Sequence, residues 1–152
     1  MVDVDSSQYL VESEAAEASH LDVIETVIAS LQEDQSAMVS HSEQGHLWKF
    51  KYGSVEVYVQ LTGESDEDML TIWSPVLRLP ASKEPELMRR LLELNWSSTF
   101  EAHFGILDSE VVVTAQRSVE GLTASEVSRN ITIVATLADN YDDALQEEFG
   151  AS

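Results

Sequence analysis

The chain has 152 residues, 43% of them hydrophobic, and a formal net charge of −20. That length suits one domain around one core, and that charge repels phosphate backbones and anionic lipid surfaces, so neither nucleic acid nor membrane is expected as a partner. With no cysteine, disulfides, thiolate nucleophiles and Cys-ligated metal sites are excluded.

All eight Lys and Arg residues fall between Lys49 and Arg129, so both ends of the sequence are purely acidic. Residues 1–17 carry Asp3, Asp5, Glu12, Glu14 and Glu17 and little to bury. They read as an acidic, mobile N-terminal arm ahead of a single domain over 18–149. The segment lacks the basic and apolar regions of a secretory leader, and no apolar run approaches the ~18 residues of a membrane span. A cytoplasmic location is the expectation.

The first helix is expected to start at Ser19, with Asp22 completing a capping-box-like turn and Leu21, Ile24, Ile28 and Leu31 forming its apolar stripe. The polar stretch 35–45 reads as a connection. Trp48, Phe50 and Tyr52 then alternate with Leu47, Lys49 and Lys51, and Val55, Val57, Val59 and Leu61 alternate with Glu56, Tyr58 and Gln60. This period of two marks two strands with one covered face, joined by a tight Gly53-Ser54 turn. A third strand over 69–79 is apolar on both parities and contains Pro75, which demands a bend, a bulge or an edge position. Pro85 suits the first turn of a second helix, whose apolar residues are Leu87, Met88, Leu91, Leu92, Leu94 and Trp96. Residues 100–107 and 111–116 flank Asp108-Ser109 as a hairpin. Thr123-Ala-Ser-Glu126 is a capping box that opens a last helix over 124–149, buried along Val127, Ile131, Val134, Ala138, Tyr141 and Leu145.

These elements make an α+β fold: an antiparallel five-stranded sheet with three helices, in the order α-β-β-β-α-β-β-α. Leu91-Leu-Glu-Leu-Asn-Trp96, the hairpin Phe104-Gly-Ile-Leu-Asp-Ser-Glu-Val-Val-Val and Gly121-Leu-Thr before the long last helix resemble the YbjN family of bacterial sensory transduction regulators. The resemblance extends over residues 18–149 by element order. It implies a fold similar to type III secretion chaperones, an often dimeric domain that binds or regulates other proteins, and no catalytic residues.

Candidate chemistry is sparse. His20, His41, His46 and His103 show no helical i, i+4 metal spacing; His41 and His46 flank a probable loop, and His103 belongs on the less buried sheet face. Asp3, Asp5, Ser7 and Glu14 mimic a calcium loop, but Gln8 stands where Gly is required. Glu64 to Asp68 reads as a solvated turn. Asp142-Asp143 and Glu147-Glu148 oppose the dipole at the C-terminal end of the last helix and predict fraying there. Neither a nucleophile elbow nor a phosphate-binding glycine loop is present. No catalytic, cofactor or metal residues are therefore assigned.

The remaining candidate is apolar surface. With Val55, Val57, Val59, Leu70, Ile72, Phe104 and Ile106 facing the helices, Tyr58, Met69, Trp73, His103 and Val112 share the opposite face. The acid-free stretch 69–82 adds Leu77 and Leu79 beside Arg78. Tyr58, Met69, Trp73 and Leu77 are the expected partner-binding residues. Trp96 is expected to be a buried anchor between helix and hairpin, costing about 3–5 kcal/mol on truncation. The leading functional expectation is a non-enzymatic, chaperone-like or regulatory protein-binding module, homodimeric and using a protein client or regulatory partner. The alternative is a small-ligand sensor with a pocket between sheet and helices; a hydrolase with dispersed groups comes third.

Overall fold

The computed structural model describes residues 19–151. The acidic arm and its calcium-loop mimic lie outside the described residues. Helix α1 spans His20–Leu31, and strands β1 (Met38–Ser42), β2 (Gly45–Tyr52), β3 (Val55–Leu61) and β4 (Met69–Arg78) follow. Helix α2 (Glu84–Ser97), the hairpin β5 (His103–Leu107) and β6 (Glu110–Ser118), and helix α3 (Ala124–Phe149) complete the chain. The strands form one antiparallel sheet in the order β1-β2-β3-β4-β6-β5. It has six strands, not five. The additional strand, β1, lies in the stretch read as a connection. All five of its side chains are exposed, so it carries no alternation to read.

Local signals set most boundaries. Ser19 Oγ accepts the Asp22 N–H at 3.1 Å, and Thr123 Oγ1 accepts that of Glu126 at 3.1 Å, each satisfying a donor that its helix cannot use. Asp108 and Ser109 both take positive φ, as the two-residue hairpin turn requires. At the β2–β3 turn Gly53 has φ +56°, and a Cβ there would strike the Asp139 carboxylate. The turn is held from outside as well. Glu33 Oε1 accepts the Gly53 N–H at 3.2 Å, Asp139 Oδ1 accepts the Ser54 N–H at 3.0 Å, and Asp142 Oδ2 accepts the Ser54 hydroxyl at 2.7 Å.

Helix α3 lies against β3, β4 and β6, α1 packs on α3, and α2 packs at β5. The core is the inward set of each layer: Trp48 and Phe50 from β2, Val55, Val57, Val59 and Leu61 from β3, Leu70 and Ile72 from β4, Val111 and Val113 from β6, with Ile24, Leu87, Ile131 and Phe149 from the helices. Each such side chain contributes on the order of 1.5–3 kcal/mol by leaving water. The C-terminal end of α3 does not fray as its acid pairs predict. The helix continues to Phe149, which is fully buried. Asp142 is buried against Ser54, and Glu148 forms a two-point ion pair with Arg90 of α2. Adjacent acids on a helix point in different directions, and here two of the four found partners.

Pro75 sits where its missing N–H is tolerated. The β4–β6 register slips between Pro75 and Leu77, leaving Val76 as a bulge. Ser74 Oγ donates to the Glu56 carbonyl at 2.7 Å and Gln146 Nε2 to the Val76 carbonyl at 3.2 Å, satisfying backbone where β4 leaves β3.

Candidate protein-binding surfaces

The outer sheet face is built by cross-strand register. Lys49, Tyr58, Trp73, Thr114 and His103 are successive partners across β2, β3, β4, β6 and β5. Tyr58 and Trp73 stack with centroids 5.2 Å apart and planes within 8°. Lys49 Nζ lies 2.9 Å from Glu56, and its ammonium is held above its usual range, first by that hydrogen bond and then by the charge of Tyr58 and Glu56. Of the four expected partner-binding residues, Tyr58, Met69 and Trp73 share this face, each half-buried. Leu77 does not belong with them. The bulge at Val76 reverses the side-chain parity, so Leu77 opposes Val111 on the helix-covered face and is only 5% exposed.

The largest exposed apolar side chain is elsewhere. Trp96 is 93% exposed, with Leu92 one turn before it at 69% and Phe100 beyond the helix at 76%. The expected buried anchor is therefore a surface residue. Helix α2 faces inward along Leu87, Leu91 and Asn95, spaced by four. Trp96 follows Asn95 and is rotated from it by about 100°. Arg89, Leu92, Glu93, Trp96 and Ser97 line one open groove, with Arg89 and Glu93 paired at 2.9 Å along its rim. Ile106, expected to face the helices, is also exposed, near the tip of the β5–β6 hairpin. The i, i+4 pair Leu92–Trp96 was the available signal: these two positions fit no single stripe with Leu87 and Leu91.

Asn95 explains why its own position faces inward. Its Oδ1 accepts the Phe104 N–H at 2.6 Å, and its Nδ2 donates to the Phe104 carbonyl at 3.3 Å. Phe104 belongs to β5, an edge strand, and these are its outward backbone groups. The carboxamide thus occupies the place of a neighbouring strand at Phe104 and covers that part of the edge. Thr99 Oγ1, buried, donates to the Asn95 carbonyl at 3.3 Å. The segment is tied to α3 by the Arg90–Glu148 and Arg129–Glu101 pairs, the latter with contacts of 2.6 and 3.0 Å. Both carboxylates are held below their usual range, chiefly by the hydrogen bond from the partner guanidinium.

Among the described residues, the opposite edge, β1, has no such cover. Its alternation above the two-residue Glu43-Gln44 turn pairs Ser42 with Gly45 and points the Val39 and His41 backbone groups away from β2. Met38 is 67% exposed, and beside it Ile28, Ala29, Gln32, Ala37, Val39 and Trp48 line an open groove of about 210 Å³ between α1 and the strand. The indole N–H of Trp48 is buried without a partner among the described residues.

Titratable groups elsewhere are engaged locally. Asp68 accepts from the Ser65 hydroxyl at 2.6 Å, the Ser65 N–H at 3.0 Å and the Thr62 hydroxyl at 2.9 Å, which together hold it below its usual range and close the 64–68 turn on itself. His103 is exposed on β5. Among the described residues, no three His, Asp or Glu side chains come together as a metal site, and no helix is long and apolar enough to cross a membrane.

The YbjN family model, described as "Putative bacterial sensory transduction regulator", matches residues 20–147. The chain belongs to the YbjN family. Solved structures add the fold. A chain of the ExsC–ExsE complex matches this YbjN chain with a TM-score of 0.54 at 22% identity, covering 70% of this chain and 80% of that one. A chain of the HopA1–SchA chaperone–effector complex matches with a TM-score of 0.54 at 8% identity, covering 80% and 91%. At such identities the likeness establishes architecture alone, an antiparallel α+β sheet with three helices. No curated protein matches the sequence.

Proposed function

We propose that this YbjN domain is a non-enzymatic, chaperone-like binding module that receives an extended segment of another protein along β1. The carrying observation is the asymmetry of the sheet: β5 is covered at Phe104 by Asn95, whereas β1, among the described residues, presents outward backbone beside a groove containing Met38, Val39 and Trp48. Edge backbone gives a guest strand its hydrogen bonds, and the groove gives its alternate side chains a place. Membership of a regulator family and likeness to chains from effector complexes support the reading. The grooves are open and shallow, which favours protein segments over the small ligand of a sensor. A regulatory role in cytoplasmic signalling would operate through the same contact.

The second surface suits a copy of the same chain. Leu92, Trp96 and Phe100 offer an apolar patch in a molecule whose charge otherwise opposes self-association. On this reading the homodimer forms through α2, and the half-buried Tyr58, Met69 and Trp73 of the outer sheet face are a lesser contact.

Val39→Pro tests the first part. It removes an N–H that points away from β2, so the sheet stays intact while strand addition is blocked. A partner captured by wild type and confirmed with purified components should be lost by Val39→Pro at unchanged circular dichroism; equal binding by both refutes the β1 site. For the second part, sedimentation should show Trp96→Asp as a folded monomer and the parent as a dimer strengthened by salt, which screens acidic repulsion.

A further inference from the structure

We infer that His41 and His46 form a two-imidazole chelate for a borderline divalent cation of the Zn²⁺ class, clipping edge strand β1 onto β2. The site shares β1 with the proposed guest edge but uses the His41 and His46 side chains rather than the outward backbone, and nothing in the family assignment requires it.

The two residues are direct cross-strand partners, one pair above the Glu43-Gln44 turn. In an antiparallel hairpin closed by two residues this is a non-hydrogen-bonded pair, the position at which opposing side chains approach most closely. The imidazoles use that proximity in a particular way. Their centroids are 4.4 Å apart, their planes are at 85°, and the Nδ1 atoms meet one another. Each ring thus directs the same nitrogen at the same point in space. Between neutral imidazoles only one of these nitrogens can carry the hydrogen. The rings must turn slightly apart to admit a cation, which would then take a lone pair from both, and imidazole is a favoured ligand for zinc, copper and nickel.

Three further features suit a cation. His46 is packed beside the Trp48 ring at 5.7 Å, which limits its freedom, while His41 is exposed and leaves the site open to water. The flanking turn carries Glu43 and no base, and the chain as a whole is strongly anionic, which raises the local concentration of divalent cations. No third protein ligand joins them among the described residues, so water completes the coordination. Affinity is accordingly below that of a closed four-ligand structural site. The effect falls on β1, whose five exposed residues are held by β2 alone within the described sheet.

Calorimetric titration of the full chain with Zn²⁺ decides the matter. Wild type should bind a single ion by a saturable step. Removing either imidazole, by His41→Asn or His46→Asn, should weaken that step at least as much as the about 10–100-fold loss typical of outer-shell partners. His20→Asn and His103→Asn should leave it unchanged. Amide spectra should show Zn²⁺ slowing hydrogen exchange in β1 of wild type and not of the His41→Asn protein, a readout independent of where else zinc binds. Absence of a saturable step, or a step that survives both substitutions and therefore belongs to the carboxylates, overturns the site.

Discussion

The two edges of the sheet solve the same problem in opposite ways. At β5 the free backbone of Phe104 is taken by the Asn95 carboxamide, α2 lies alongside, and two arginine–carboxylate pairs fasten the region to α3. At β1 every side chain is exposed and the backbone of Val39 and His41 faces away from the sheet. A sealed edge beside an exposed tryptophan suits packing of preformed surfaces. An open edge beside a groove suits addition of extended chain. The difference separates a contact made by side chains from one made by backbone, and each can be removed without the other.

A large effect is expected from breaking the seal. Asn95→Ala leaves both Phe104 groups without protein partners and should cost about 1–3 kcal/mol, read as a lower midpoint in urea. Hydrogen exchange of the Phe104 amide should rise with it, and an unchanged midpoint would show that water replaces the carboxamide at no cost. Leu77→Ala and Trp73→Ala sharpen the contrast between core and outer face. The first should cost about 2–5 kcal/mol, as buried leucines do, and the second less, because Trp73 is only half-buried. Trp96→Ala, on the exposed side of α2, should stay within about 0.5 kcal/mol of wild type while weakening self-association. A loss near 3 kcal/mol would restore the tryptophan to the core.

The smallest effect concerns pH. Glu101 and Glu148 are held below their ordinary range by Arg129 and Arg90. Their pairs stabilise the fold fully above the unfolded carboxylate pKa of about 4.3 and lose that contribution as pH falls through the lowered folded values. Acidification below about pH 4 should therefore loosen α2 and the β5 edge through these pairs. Amide chemical shifts followed along the titration would show it, and Arg90→Gln should remove the Glu148 component. If the α2 amides shift no differently in that variant, the pair contributes nothing.

Much of this was legible in the sequence because it was local. Ser19, Thr123, Gly53 and Asp108-Ser109 each announce a backbone requirement within a few residues, and the structure meets each one. The alternating strands β2 and β3 likewise wrote their faces into a period of two. What escaped depended on three dimensions. Strand β1 has all five side chains exposed, so no pattern distinguished it from a loop. Leu77 was misplaced because one bulged residue reverses a parity that sequence counts as continuous. Trp96 was misread because hydrophobicity was taken as burial, while the neighbouring Asn95 made the inward contact through hydrogen bonds. Asp142 looked like a fraying charge and is a buried acceptor for Ser54, which is 88 residues distant.

That distant bond bears on how the chain comes to be folded during synthesis. The β2–β3 turn is fastened by Asp139 and Asp142, and the sheet is covered mainly by α3, which follows every strand of it in the chain. Until it arrives, Val57, Val59 and Ile72 lack the cover that α3 gives them. Such a chain carries its aggregation risk until α3 has been made. A stop codon within α3 should therefore yield a product removed by proteases or aggregates, rather than a shorter working domain.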